Sequence, residues 1–217
     1  MSGGEVYRLH GYYRSSAAFR VRIALHLKGV AYESVAHHLR RGEQRSDAYL
    51  AVNPQGLVPA LEADGLVLTQ SLAIIEYLDE RHPEPALLPP DPAARARARA
   101  IAQTIACDIH PIDNLRVLAY LRGELAQPEA SVTQWYAHWI AEGFTALEEG
   151  FRARPPGAFC IGDTPTIADI CLVPQVINAR NFAVDLEPYP LLVAVAERAL
   201  ALSAFAAAHP ANQPDAE

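Results

Sequence analysis

The stretch Asn53–Leu78, NPQGLVPALEADGLVLTQSLAIIEYL, sets the frame for the rest of the chain. Asn53-Pro54-Gln55-Gly56 has the residues of a turn. Asp64-Gly65, between the short β-forming runs Ala60–Ala63 and Leu66–Thr69, is the strongest hairpin signal in the sequence, because a two-residue primed turn needs positive φ at both central positions. From Ser71 to Arg81 apolar and charged residues alternate at helical spacing, with Ser71 placed as the N-cap. Upstream, Val6–His10 reads as a strand, Ser16–Lys28 as a largely buried helix ending at Gly29, and Tyr32–Ala36 as a second strand. A right-handed crossover makes these two strands parallel. Gln44–Val52 is a weaker helix, and the order of elements is β-α-β-α-β-β-α.

Downstream of this frame, Pro83–Pro92 holds five of the 17 prolines, so the chain there is stiff and unable to continue a helix. The domain boundary is placed in this segment. Beyond it the sequence is Ala- and Leu-rich with helical periodicity over residues 93–122, 132–152, 166–178 and 191–202. A second, all-helical domain is expected, and 217 residues suffice for two small cores.

The composition, 51% hydrophobic and 20% charged, is that of an ordinary globular chain. No apolar run reaches the length of a membrane span, and Met1–Tyr7 lacks the apolar core of a signal peptide, so a cytoplasmic protein without a membrane partner is expected. Cys107, Cys160 and Cys171 form no C-x-x-C pair and read as small reduced core residues, with no metal site indicated. A net charge of −7 argues against nucleic acid as a partner. The row Arg95, Arg97, Arg99 does not alter this, since a spacing of two spreads side chains around a helix. An acidic chain that recruits anions must use a few locally placed arginines.

Three clusters carry chemistry. Arg14-Ser15-Ser16-Ala17 lies where the first strand meets the first helix, so either serine is a cap or a hydroxyl held among converging backbone N–H groups. Val58-Pro59, directly before a strand, is either an ordinary trans edge proline or a cis bond that exposes the Val58 backbone for pairing with an extended ligand. Gln70-Ser71 begins the last helix of the first domain, where it either caps or holds a carboxylate. Thr166-Ile167-Ala168-Asp169 reads as a capping box, making Asp169 structural.

Taken together and in this order, the clusters resemble the glutathione transferases, and the zeta class in particular. The likeness extends through Cys160-Ile161-Gly162-Asp163, Leu172-Val173-Pro174-Gln175-Val176 and Pro188-Tyr189-Pro190. It implies an α/β thioredoxin-like N-terminal domain over residues 1–88 and an all-α C-terminal domain over residues 93–217, the glutathione transferase fold. It also implies glutathione as cofactor, a homodimer, and glutathione-dependent cis–trans isomerisation of maleylacetoacetate or maleylpyruvate. Carried onto matching positions, Ser15 donates to the glutathione sulfur with Ser16 beside it. Val58, before Pro59, pairs with the cysteinyl backbone, Gln70 and Ser71 hold the γ-glutamyl end, and Gln44 and His110 are further contacts. Where the zeta motif has cysteine after the paired serines, this chain has Ala17; the reacting thiol belongs to glutathione, so isomerisation does not require it.

A small-molecule dicarboxylate substrate calls for arginine forks. Arg14, Arg116 and Arg180 are the candidates, with Asn114 beside Arg116, although for Arg116 and Arg180 a surface helix charge is the competing reading. Arg20 and Arg22 are read as structural. A conjugating or dehalogenating transferase and a non-catalytic binding scaffold are the alternatives. Carboxylate clamps favour the isomerase over the first, and retention of Ser15, Val58-Pro59 and Gln70-Ser71 favours it over the second.

Overall fold

The computed structural model describes residues 6–217; most of Met1–Tyr7, on which the reading of no signal peptide rests, lies outside them. The chain forms two compact units, one running up to Leu87 and taking in Ala201–Glu217 as well, the other Leu88–Leu200. Residues 201–217, expected with the helical domain, thus belong to the first unit.

In the first unit β1 (Tyr7–Gly11) is followed by α1 (Ser16–Leu27), β2 (Tyr32–Ala36), α2 (Asp47–Leu50), β3 (Ala60–Ala63), β4 (Leu66–Thr69) and α3 (Ser71–Arg81). The sheet order is β2-β1-β3-β4. β1 and β2 are parallel, and the other pairs are antiparallel. Asp64 and Gly65 have φ of 52° and 75°, as a primed hairpin turn requires. Gly29, at φ 64°, ends α1 with the Val30 N–H donating to the Leu25 carbonyl, a left-handed cap that glycine adopts without strain.

The Gln44–Val52 segment is less helical than its periodicity predicts. Two 3₁₀ turns, Leu39–Arg41 and Glu43–Arg45, precede the four-residue α2, whose start is capped by Ser46 accepting from the Tyr49 N–H. Ser71 is not the N-cap of α3 but its first residue. Gln70 occupies the cap position at φ 69°, ψ 116° and makes no side-chain cap bond, while the Ser71 hydroxyl accepts from Arg20 Nη1 at 3.4 Å.

The second unit contains α4 (Pro92–Gln103), a π-helical turn (Thr104–Ile109), α5 (Leu115–Arg122), α6 (Glu129–Ala153), α7 (Ile167–Asn181) and α8 (Pro190–Leu200). The helix expected over 93–122 is therefore broken. Pro111 cannot continue a helix and Asn114 starts a new one, its side chain accepting from the Arg116 N–H. Gly143 lets α6 lie against the π turn, since a Cβ there would stand 2.3 Å from Ile109 Cδ1. The capping box of α7 is present: Thr166 Oγ1 accepts from Ala168 N, and Asp169, fully buried, accepts from the N–H groups of Thr166 and Cys160 at 2.8 Å. Cys160 and Cys171 are buried, whereas Cys107 is exposed on the π turn rather than in the core. Among the described residues no helix is long and apolar enough to cross a membrane. The C-terminal α9 (Ser203–Ala208), which the sequence reading lacks, packs on α1 in the first unit.

Candidate functional site

Strand direction alone gathers the first unit's three clusters. β1 ends at Gly11, opposite Ala36 at the end of parallel β2. Because β3 runs against β1, its first residue Ala60 pairs with His10, and Thr69 at the end of β4 pairs with Ala60. Residues 12–16, 37–44, 58–59 and 70–71 therefore leave the sheet at one end.

Ser15 is the N-cap of α1, and its Oγ accepts from the Ala18 N–H at 3.2 Å. This uses a lone pair and leaves the hydroxyl proton for donation outward, so the capping and binding readings are compatible. Ser15 is half-buried and Ser16 is buried. With the helix N-terminus behind it, Ser15 is the better placed of the two to stabilise an anion.

The Val58–Pro59 bond is cis. Among the described residues no hydrogen bond uses the N–H or C=O of Val58. The carbonyl before it, that of Leu57, is held twice: by the Tyr49 hydroxyl at 2.6 Å and by Asn53 Nδ2 at 2.8 Å. Gly56, at φ 59°, allows close approach of the segment bearing Gln44, since a Cβ there would lie 2.9 Å from the Gln44 carbonyl oxygen. Gln44 Oε1 is buried and has no hydrogen-bond partner among the described residues. Gln70 Nε2 reaches Gln55 Oε1 at 3.4 Å, tying the start of α3 to the same turn. Gln70's left-handed backbone is the kind of local strain that concentrates at ligand sites. A free backbone edge, a donor hydroxyl, an orphaned amide oxygen and the N–H groups at the head of α3 fit an extended peptide that carries a thiol and a carboxylate.

The remaining sites predicted from sequence are in the second unit. His110 directly follows the π turn, a local irregularity that often marks functional positions. Asn114 uses its Oδ1 as a cap, accepting from Arg116 N at 3.2 Å. Arg116 is exposed, as is Arg14 in the first unit, and neither forms an ion pair among the described residues. Arg180 is also on the surface, but its guanidinium is already paired with Glu197 of α8.

Tyr49, which holds the Leu57 carbonyl, is not singled out in the sequence; Asn53 is read only as part of a turn and Arg20 only as structural, with no sign that they reach Leu57 and Ser71. Their contacts join elements far apart in the chain, and no local pattern signals them. Asp113 was missed as well. It is 7% exposed, and neither carboxylate oxygen has a hydrogen-bond partner among the described residues. Burial pushes its acid up to about 8. The folded chain therefore keeps this proton up to about pH 8, whereas an unfolded aspartate loses it above about pH 4. Between those limits the folded state binds more protons, so stability falls as pH rises through the window. Asp113→Asn is expected to raise the unfolding free energy by about 2 kcal/mol at pH 8.5 and hardly at all at pH 4. Urea titrations at the two pH values measure this, and an equal gain at both would sink it.

Comparison with known proteins agrees with this architecture. Residues 9–86 match the glutathione S-transferase N-terminal domain and residues 129–198 the C-terminal domain. The chain belongs to the glutathione S-transferase family, in its zeta class. Within it the chain is 51% identical to a probable maleylacetoacetate isomerase of Vibrio cholerae, over 96% of this chain and 97% of that one. A holo structure of maleyl pyruvate isomerase, a bacterial zeta-class enzyme, superposes with TM-score 0.95 at 51% identity, covering 97% of this chain and 100% of that one. The maleylacetoacetate isomerase of Methylobacterium extorquens, solved with malonate and glutathione bound, gives TM-score 0.94 at 44% identity over 97% and 99%.

Proposed function

We propose that the chain is a glutathione-dependent cis–trans isomerase that converts maleylacetoacetate to fumarylacetoacetate, with maleylpyruvate as the alternative substrate. The observation that carries this reading is the convergence of the Ser15 hydroxyl, the unpaired Val58 backbone and the Gln70-Ser71 helix start at one end of the sheet. Near 50% identity to isomerases of both substrates supports it.

Bound glutathione supplies a thiolate whose reversible addition makes the cis double bond single, so that it rotates and re-forms trans on elimination. Ser15 donates its hydroxyl proton to the sulfur and holds the charge there. The N–H and C=O of Val58 pair with the cysteinyl backbone. Gln70 and Ser71 take the γ-glutamyl carboxylate at the head of α3, and Gln44 and His110 add contacts. Arg14 and Arg116, whose guanidinium groups form no ion pair among the described residues, are the stronger choices for the two substrate carboxylates. Arg180 would first have to leave Glu197, and Asn114 has only its amide N–H groups to offer while it caps α5. A cytoplasmic homodimer completes the proposal, and a monomer mass in sedimentation equilibrium at micromolar concentration would remove the dimer.

The test is fumaryl product formation from each substrate, with and without glutathione, followed by ultraviolet absorbance. Glutathione-dependent turnover is expected, and the ratio of kcat/KM values chooses the substrate. Glutathione binding without turnover of either substrate would replace isomerisation by conjugation or dehalogenation.

A further inference from the structure

One line of polar contacts in the first unit is not used by the proposed reaction. His10, 4% exposed on β1, places Nε2 2.5 Å from Glu62 Oε1 and Nδ1 2.9 Å from His37 Nε2. The two imidazole centroids are 5.2 Å apart and their planes differ by 18°. That separation is what two rings meeting edge to edge across a hydrogen bond would span, so the rings are close to coplanar and not face to face. Their lone-pair directions point at each other, which leaves no room for a metal ion between them and makes the contact a shared proton. Among the described residues no group of three metal-ligating side chains exists.

The tautomers follow from Glu62. Its carboxylate is held low by the hydrogen bond from His10, with Arg8 adding to this against some desolvation. Ionised Glu62 accepts from His10 Nε2–H, so His10 Nδ1 accepts from His37 Nε2–H. The His37 ring lies 4.2 Å, centroid to centroid, from the ring of Tyr49, which also touches His10 at 5.6 Å. Tyr49 is buried, and its hydroxyl is the donor that fixes the Leu57 carbonyl beside Val58. His37 also opens the segment that leads to Gln44, its own N–H bonded to the Gly11 carbonyl at 2.8 Å.

We propose that His10 and His37, oriented by Glu62, are positioning residues for glutathione: through Tyr49 they fix the Leu57–Val58 turn and the segment bearing Gln44. This rests on the glutathione-binding reading and adds to it a support that lies outside the ligand contacts. A first added proton goes to His37 Nδ1 and leaves the His10–His37 bond intact. The groups facing the pair are Glu62 and Arg8 on the sheet, Glu33 through Arg8, Glu43 in the 3₁₀ turn and Tyr49 on α2. Burial and then His10 depress His37, and Glu43 opposes them only in part.

The test compares wild type with His37→Ala, His37→Gln and Tyr49→Phe in steady-state kinetics. His37→Ala is expected to raise KM for glutathione about tenfold, with kcat at saturation and KM for the maleyl substrate within twofold. Tyr49→Phe is expected to shift the same parameter several-fold. In His37→Gln the amide restores the donor to His10 and can turn over to accept instead, so KM should recover most of the way at pH 7.5. Unchanged glutathione KM in both His37→Ala and Tyr49→Phe would overturn the proposal, as would a His37→Gln enzyme whose glutathione KM is raised as far as that of His37→Ala. Absence of glutathione binding by wild type at pH 7.5 is a different failure, that of the functional reading itself.

Discussion

Ser15→Ala is expected to lower isomerase turnover at pH 7 by roughly fivefold to tenfold and to move the rising limb of the pH–rate profile to higher pH. A hydrogen bond to a charged group contributes about 1.5–3 kcal/mol, equivalent to one to two units of thiol pKa. Losing it lowers the thiolate fraction at pH 7 by about tenfold to thirtyfold, since the fraction with the bond cannot exceed one. A thiolate of higher pKa is intrinsically more nucleophilic, which offsets roughly half of that loss on a logarithmic scale. Loss of orientation at the sulfur acts in the same direction as the lost ionisation. Above about pH 9, where the thiol ionises unaided, the deficit should shrink to the part that comes from lost orientation.

Ser15 also caps α1, so a rate loss could come from unfolding. Ser15→Gly separates the two, because glycine at an N-cap costs only a few tenths of a kcal/mol yet supplies no hydroxyl. It should lose turnover as Ser15→Ala does while melting near wild type. Ser16→Ala, at a buried position, should disturb turnover less. A Ser15→Ala enzyme with the wild-type pH–rate profile would remove Ser15 from the chemistry.

What was legible in the sequence follows from which interactions are local. Asp64-Gly65 fixes its hairpin through backbone demands met within two residues, and the strands 60–63 and 66–69 fall where that turn puts them. Gly29 ends α1 for the same kind of reason. The π turn at Thr104–Ile109 was not legible, because apolar periodicity continues through Ile105 and Ile109 and a π turn changes the register of hydrogen bonds without changing composition; the break after it was signalled by Pro111, which the reading of one helix over 93–122 passed over. The site clusters were visible because each sits at the junction of two elements. Their supports were not: Tyr49 on Leu57, Arg20 on Ser71 and Glu62 on His10 depend on strand register and helix packing, which bring together residues between 8 and 52 positions apart. Ser71 shows the limit most plainly, since its hydroxyl met every requirement of a cap and the left-handed backbone of Gln70 moved the helix start by one residue.

Arg22→Met is expected to destabilise the first unit by about 3 kcal/mol, the order of cost of leaving buried carbonyls short of a donor. Arg22 is 3% exposed and donates to three carbonyls: Ala208 at 3.0 Å, Tyr12 at 3.4 Å and Tyr13 at 3.0 Å. Burial draws its pKa down to about 10, so it remains charged at neutral pH. Ala208 ends α9, where unpaired carbonyls and the negative end of the helix dipole favour a cation. Tyr12 and Tyr13 belong to the loop that leads into Ser15, and Asp215 accepts from the Tyr13 N–H at 2.9 Å. One guanidinium thus joins α1, the C-terminal segment and the backbone before the proposed sulfur ligand. Methionine fills much of the same space and supplies no donor, which leaves those carbonyls to find water or remain unpaired. Arg22→Lys should fall between the two, because a single ammonium cannot span the spread that the planar fork covers. Urea unfolding measures the stability change, and glutathione affinity measured under folded conditions should weaken along with it as the loop before Ser15 loosens. An Arg22→Met protein with the wild-type urea midpoint would show that the three carbonyls are satisfied without the arginine, and that the packing of α9 on α1 and the contacts of Asp215 and Glu217 hold the C-terminal segment without it.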